Sequence, residues 1–283
     1  MRRTLIMLIA AVSSCAALPA SGQSDVIKPG EERFTFGLGA VFNSFGTDVR
    51  FDNPNLGRGS NVNMKDDLGA DQDASSFWAS AEWRFAPRHR IGFDFSQFKM
   101  TGTRTISREI VIGDERFPAG ATVFSELKLQ IIPIAYSYSL IKTEKDELAA
   151  TLGVHWSRVS FRAHGTATLG TSSGTFDTSN DTSAKGDLPL PLIGLRYDHH
   201  FSQRWSAGLQ GAFFSLKFGQ DTFNVEGDIL SARTYAEYRF SRNYGLGLAI
   251  EAFQIDVEAS QGSWQGGMDY RYWGPQIYLK ARF

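Results

Sequence analysis

SSFWASAEWRFAP, residues 75–87, sets Phe77, Ala79, Ala81, Trp83 and Phe85 on one side of an extended chain and Trp78, Ser80, Glu82 and Arg84 on the other. Side chains of a strand point alternately to opposite faces, so this ribbon is built for two different solvents. A helical reading fails because no apolar stripe recurs at three-to-four spacing. The period returns in NYGLGLAIEAF (243–253), where Tyr244, Leu246, Leu248, Ile250 and Ala252 alternate with Gly245, Gly247, Ala249 and Glu251. RWSAGLQGAFF (204–214) sets Trp205, Ala207, Leu209 and Phe213 against Ser206, Gly208 and Gln210. Interior glycines count further against helix.

Extended along the chain, the alternation predicts about ten strands, over 33–51, 75–86, 89–101, 122–140, 148–162, 189–201, 204–217, 229–240, 244–257 and 270–283. Eight would leave hairpins unassigned, and twelve would follow if VRF (49–51) and NVNM (61–64) formed an extra pair. The connections alternate in length. APRH, KTEKDE, FSQR and SRN are short, whereas 52–74, 102–121, 163–188, 218–228 and 258–269 are long and rich in Gly, Ser, Thr, Asn and Asp. The segment HGTATLGTSSGTFDTSNDTSAKGD (164–187) reads by composition as a mobile outer loop, a surface for ligands, phage or host molecules. AEWRFAPRHRIGF (81–93) is echoed by AEYRFSRNYGLGL (236–248), one hairpin repeated, as an array of similar strand pairs requires.

The chain has 283 residues, a formal charge of −1 and 13% aromatic residues, enough for a large domain and without the basic balance that nucleic-acid binding relies on. Arg2 and Arg3, the apolar run of residues 5–12 and the small residues up to Gly22 predict a signal peptide over 1–22, leaving 23–283 as one mature domain. The competing reading takes VSSC as a lipoprotein box with Cys15 lipidated. Cleavage after Gly22 removes the chain's single cysteine, so no disulfide framework follows. After that point no apolar run is long enough for a membrane helix.

Three features favour a closed transmembrane barrel over a soluble sandwich. Tight turns at one end and long loops at the other are the habit of such barrels. Trp83, Phe85, Tyr136, Tyr138, Tyr197, Phe201, Trp205, Tyr238, Phe240 and Tyr244 gather beside the short turns, as an interfacial girdle would. The polar faces carry Glu82, Arg84, Asp94, Glu126, Lys128, Arg196, Asp198, Arg233, Glu237, Arg239, Glu251, Lys280 and Arg282, which are expected to form a lumenal cluster of ion pairs. Facing lipid at mid-depth, an Arg or Lys would cost roughly 2–4 kcal/mol.

The chain ends on QIYLKARF, with Ile277, Leu279, Ala281 and Phe283 on one face. This terminus resembles the assembly signal of the small outer-membrane β-barrel proteins of Gram-negative bacteria. The resemblance implies an all-β, antiparallel transmembrane barrel, a monomer in the cell outer membrane. Its expected partners are outer-membrane lipid, lipopolysaccharide and the barrel assembly machinery, with no nucleic acid and no cofactor. It implies no particular activity. A structural, surface-interaction or limited small-solute permeation role without catalysis is expected.

The alternative is an embedded hydrolase. His155 and Ser157 in HWS resemble the His-x-Ser pair of outer-membrane phospholipase and lipid A deacylase, which must face lipid. The parity of Leu152, Val154 and Trp156 turns them inward instead. Asp71, Asp73, Asp198 and His200 resemble the acidic and Asp–His pairs of the omptin proteases, but Asp198 and His200 abut a short turn, a membrane's height from the other two. Asp66, Asp67, Asp71 and Asp73 lack the spacing of a calcium loop, so MKDDLGADQD reads as a solvated acidic turn, and no metal site is expected.

Overall fold

The first strand shows how the sheet closes. β1 (Phe34–Phe51) pairs antiparallel with β3 (Asp73–Ala86) on one edge and with β13 (Trp264–Arg282) on the other. Between those two run β4 (His89–Thr105), β7 (Thr122–Lys142), β8 (Asp146–Thr171), β9 (Gly174–His200), β10 (Trp205–Gln220), β11 (Phe223–Arg239) and β12 (Tyr244–Gln261), each antiparallel to its neighbours. The result is a closed ten-strand barrel, in which β9 and β10 pair with each other only from Ser206↔His200 to Phe213↔Ile193 and part above that point. Short pieces, β2 (Val62–Asn63), β5 (Ile110–Ile112) and β6 (Glu115–Phe117), belong to the long connections. The computed structural model describes residues 30–51, 59–112, 115–171, 174–220, 223–261 and 264–283, so the proposed leader, 1–22, and Cys15 lie outside the described residues.

VRF and NVNM do meet, since Val49 lies opposite Val62. They add no strand to the wall: β2 takes over the edge of β1 above Ser44↔Asp73, where β3 leaves it. The composition-based loop over 164–187 is corrected. β8 and β9 pair without interruption up to Thr171↔Gly174, with 172–173 outside the described residues. Threonine is β-branched and suits a pleated ribbon, so Thr- and Ser-rich sequence is compatible with strand as well as loop.

The short turns, the start of β1 and Phe283 share one end of the barrel. Phe34 N donates to Phe283 O at 2.9 Å, and Phe283 N donates back to Phe34 O at 2.8 Å, closing the seam at the last residue. Outward from this end the wall is apolar: Phe36, Leu38, Ile91, Phe93, Ile134, Leu152, Ile193, Leu195, Leu209, Leu248, Ile277 and Leu279 are all exposed. A continuous belt of this kind is costly in water and suited to hydrocarbon. The girdle residues Trp83, Phe85, Tyr136, Tyr138, Tyr197, Phe201, Trp205, Phe240 and Tyr244 are exposed at its lower rim.

Farther along each strand the apolar face changes sides. On β8, Leu152 and Val154 point out while His155 and Ser157 point in; above Trp156, Arg158 and Arg162 point out while Val159, Phe161 and Ala163 are buried. On β12, Leu248 and Ile250 are exposed below, whereas Phe253, Ile255 and Val257 are buried above, with Gln254, Asp256 and Glu258 outside. β7 switches at Ile131–Ile132, where two apolar residues adjoin. The barrel is therefore inside-out below that line and has an ordinary apolar core above it.

Long connections complete that upper core. Residues 62–70 fold inward: Asn63 Oδ1 accepts the Asp66 amide at 2.8 Å, Gly69 N donates to Lys65 O at 2.9 Å, and Gly69 takes φ +67°, a left-handed conformation that favours glycine. That turn buries Met64 and Leu68. From the next connection, Ile106, Ile110, Ile112 and Phe117 join them against Phe45, Phe98, Leu127 and Phe161.

Candidate functional site

The lower lumen is filled by charge. Arg84 grips Glu147 through two bonds of 2.9 Å, and Ser139 donates to the same carboxylate. Arg90 lies 3.5 Å from Glu147, 3.4 Å from Glu82 and 3.9 Å from Asp198. Arg196 bonds Glu82 at 2.6 Å and Asp198 at 2.9 Å, and Tyr235 donates to Asp198. Across the lumen Glu237 accepts from Tyr278 and Lys280 at 2.8 Å each and from Arg282, while Arg239 meets Glu32 at 2.6 Å. Paired, hydrogen-bonded charges of this kind are the condition under which buried ions are tolerated.

Above this layer sits an aromatic and cationic one. The Arg233 guanidinium lies 5.2–5.5 Å from the ring centres of Trp78, Tyr235 and Tyr278 and donates to Gln276 at 2.9 Å. Glu251 approaches Arg233 at 4.0 Å and accepts from Tyr272 at 2.8 Å. Asp94 lines the two lumenal cavities beside Arg233, which measure about 90 and 100 Å³. Each has room for a few waters. A Cβ at Gly247 would collide with the Tyr278 ring, so the glycine makes the space the ring occupies.

Glu82, Arg84, Asp94, Arg196, Asp198, Arg233, Glu237, Arg239, Glu251, Lys280 and Arg282 thus share the lumen, as their parity predicts. Glu126 and Lys128 do not. They lie above the line where β7 switches faces and stand on the outer wall, with Lys128 41% exposed, while Leu127 and Leu129, both 0% exposed, take the inside. Assigning polar residues to the lumen holds only within the belt. Three lumenal charges escaped the sequence reading. Arg90 shares parity with Asp94 within the expected strand 89–101, so that alternation already assigns it to the lumen. Glu147 was absorbed into the turn KTEKDE, and Glu32 precedes the first strand, where no alternation exists to place it.

His155 and Ser157 are 3% and 0% exposed and face the lumen. Ser157 Oγ is 3.1 Å from Tyr270 Oη, which lies 3.4 Å from His155 Nε2, and the imidazole stacks on Phe253 with ring centres 4.3 Å apart. The two side chains therefore meet through a phenol, away from lipid. Asp198 and His200 lie at the short-turn end, where His200 N donates to Lys145 O at 2.7 Å. Asp71 lies at the other end, where its amide donates to Thr101 O at 3.2 Å, and Asp73 opens β3. The structure does not bring these groups together. In the acidic turn, Asp67 accepts from Asn63 N at 2.9 Å and from Arg108 at 2.8 Å, while Asp66, Asp71 and Asp73 are exposed. Among the described residues, no three His, Cys, Asp or Glu side chains are grouped closely enough to hold a metal ion.

No protein-family model matches the chain, and no curated protein matches it. Solved structures do. The outer membrane protease OmpT from Escherichia coli superposes with a TM-score of 0.57 at 12% identity, covering 89% of this chain and 97% of that one. The Pseudomonas putida toluene transporter TodX matches at 0.34 and 10% identity over 91% and 93%, and Ail of Yersinia pestis at 0.31 and 9% over 89% and 99%. At such identities the likeness to OmpT is one of fold, a ten-strand outer-membrane-type barrel, and does not extend to chemistry.

Proposed function

We propose that this protein is an exported, integral outer-membrane barrel that acts as a structural and surface-presenting element, without catalysis. One observation carries the reading: the lumen is occupied twice over, by the ion-pair layer around Glu147, Arg196 and Glu237 and by the apolar layer around Leu68, Ile110 and Phe117. A wall of extended strands above the belt then leaves the outer surface as the working face. Export by the leader and insertion by the barrel assembly machinery through the Phe283 terminus belong to the same proposal, as does a monomeric state, in which β1 and β13 of one chain close the wall on themselves.

Planar-bilayer recording of the refolded chain tests it. No stepwise conductance is expected at physiological salt; regular channel steps would replace this reading with solute permeation. The hydrolase alternative has its own test. A fluorophosphonate probe should leave Ser157 unlabelled in the folded barrel, and labelling lost in Ser157→Ala would restore the enzyme reading.

A further inference from the structure

Between β9 and β10 the upper wall is split. Their pairing runs from Ser206↔His200 to Phe213↔Ile193 and stops there, although β9 stays paired to β8 as far as Thr171↔Gly174 and β10 to β11 as far as Gln220↔Phe223. Among the described residues, no strand pairs with the other edge of β9 over residues 174–192 or with that of β10 over 214–220. Continued upward, the register would set Ser215 against Pro191 and Lys217 against Pro189.

The ladder fixes where the backbone groups point. His200 N donates to Lys145 O at 2.7 Å, so even-numbered residues of β9 address β8 and odd-numbered ones address the split. On β10, Arg204 O accepts from Arg239 N at 2.8 Å, so there too the odd-numbered residues face the split. Pro189 and Pro191 therefore lack an N–H on the side where β10 would need a donor, and a sheet accepts proline at such an edge. Pro191 lies opposite Val154 and Pro189 opposite Trp156, within the apolar belt, where an unpaired amide would cost most. Asp187 lies opposite Arg158, the first outward residue above Trp156, and from there upward Asp187, Lys185, Ser183 and Asp181 keep their amides. The β9 edge is thus blunted in lipid and left open in water, where it is a template for another strand.

The two faces of that edge define what fits. Outside, Arg158 holds Asp187 at 3.2 Å and Lys217 holds Glu226 at 2.9 Å, whereas Lys185, and Arg162 opposite Ser183 on β8, have no carboxylate partner among the described residues. Inside, Val159, Phe161 and Ala163 of β8 are buried, and the Thr182 hydroxyl donates to Ile112 O at 3.5 Å, so this part of the wall rests on the apolar layer of Ile110, Ile112 and Phe117. Resting on the reading of the outer surface as the working face, we infer that the β9 edge over residues 181–187 docks an extended segment of a partner polypeptide as an added strand, acidic on its outer face and apolar on its inner one. Main-chain bonds to Ser183, Lys185 and Asp187 hold the segment, and its acidic side chains face Lys185 and Arg162.

The test uses the full chain refolded in phosphocholine micelles and titrated with a fluorescent synthetic nonapeptide of alternating valine and glutamate, read by anisotropy and by residue-resolved amide exchange. In the free chain the amides of Ser183, Lys185 and Asp187 should exchange rapidly, and bound peptide should slow them at least about tenfold. Ser183→Pro/Asp187→Pro removes two donors and keeps both cations, so it should bind about 30-fold more weakly, whereas Ser183→Ala/Asp187→Ala should bind at least as tightly as wild type. A peptide with lysine in place of glutamate should bind at least about tenfold more weakly. Heat-modifiable gel mobility confirms that each variant is folded; should the proline variant fail that check, the glutamate peptide N-methylated at alternate residues is read on wild type in its place, with the same loss expected. Slow exchange of the three amides in the free chain, binding that leaves them fast, equal binding by the proline variant or its substitute, equal binding of the lysine peptide, or a folded wild type that binds no peptide would each overturn the inference. Such a failure leaves the outer surface as the working face, a reading that falls instead to regular channel steps.

Discussion

Arg84 and Glu147 face each other across the barrel interior through two parallel bonds of 2.9 Å, although β3 and β8 are separated in the wall by β4 and β7. The pair ties one side of the cylinder to another, a constraint that backbone pairing between neighbours cannot supply. Removing one partner leaves Arg84 and Arg90 facing a vacancy in a medium that solvates them poorly. Glu147→Gln should therefore lower stability by about 3–5 kcal/mol, measured as a shift in denaturant midpoint in lipid vesicles. Glu226→Gln on the exposed Lys217 pair, with side chains 64% and 80% exposed, should cost at most about 1 kcal/mol. Equal losses would mean that the lower lumen is wet.

Leu68 is fully buried at the heart of the upper plug, two residues from the exposed Asp66. Leu68→Asp places a charge where only apolar side chains wait, so the 62–70 turn should leave the mouth while the wall stays closed. Trypsin would then cut after Lys65 at least about tenfold faster than in wild type, with heat-modifiable mobility retained. Resistance equal to wild type would show that the turn is held by its own hydrogen bonds alone.

A nitroxide scan of β8 from 148 to 166 should report the change of face directly. Even positions up to 154 should be accessible to oxygen dissolved in lipid, and even positions from 158 upward to a water-soluble relaxing agent, while odd positions respond weakly to both. A single unbroken pattern along the strand would remove the boundary at Trp156.

Deleting Phe283 removes both backbone bonds with Phe34 at the seam along with the terminal aromatic side chain. Outer-membrane insertion in cells should fall severalfold, with accumulation in the periplasm or degradation, as read by the heat-modifiable fraction on a gel. Unchanged insertion would separate the terminus from assembly.

The wall was legible because alternation is a local property: FWASAEWRF states its own two faces without reference to any partner, and β3 lies within two residues of where that pattern puts it, whereas β11 begins at Phe223, six residues before the expected start. What failed was the assumption of one rule per strand. Glu126 and Lys128 obey the alternation of β7, but the solvent on each side exchanges at Ile131–Ile132, and periodicity by itself carries no absolute sign. Tyr136 and Tyr138 on the same strand hold the missing sign, because interfacial aromatics face outward and Glu126 shares their parity. The plug was invisible for a different reason. Leu68, Ile110 and Phe117 sit in segments too short for any period, and their burial depends on a cavity made by distant strands. Of the lumenal network, Arg196 and Glu82 could be assigned to one compartment from parity, but their meeting needs closure of the cylinder.

Because β7, β8 and β12 each trade their greasy side part-way along, the molecule has little freedom to ride higher or lower in the bilayer. Sinking by one residue pair would push Arg158 and Asp256 into acyl chains, and rising by the same step would bring Leu152 and Leu248 nearer to water. Immersion depth is thus written into the chain, and any disagreement with local bilayer thickness must be absorbed by the lipids around it.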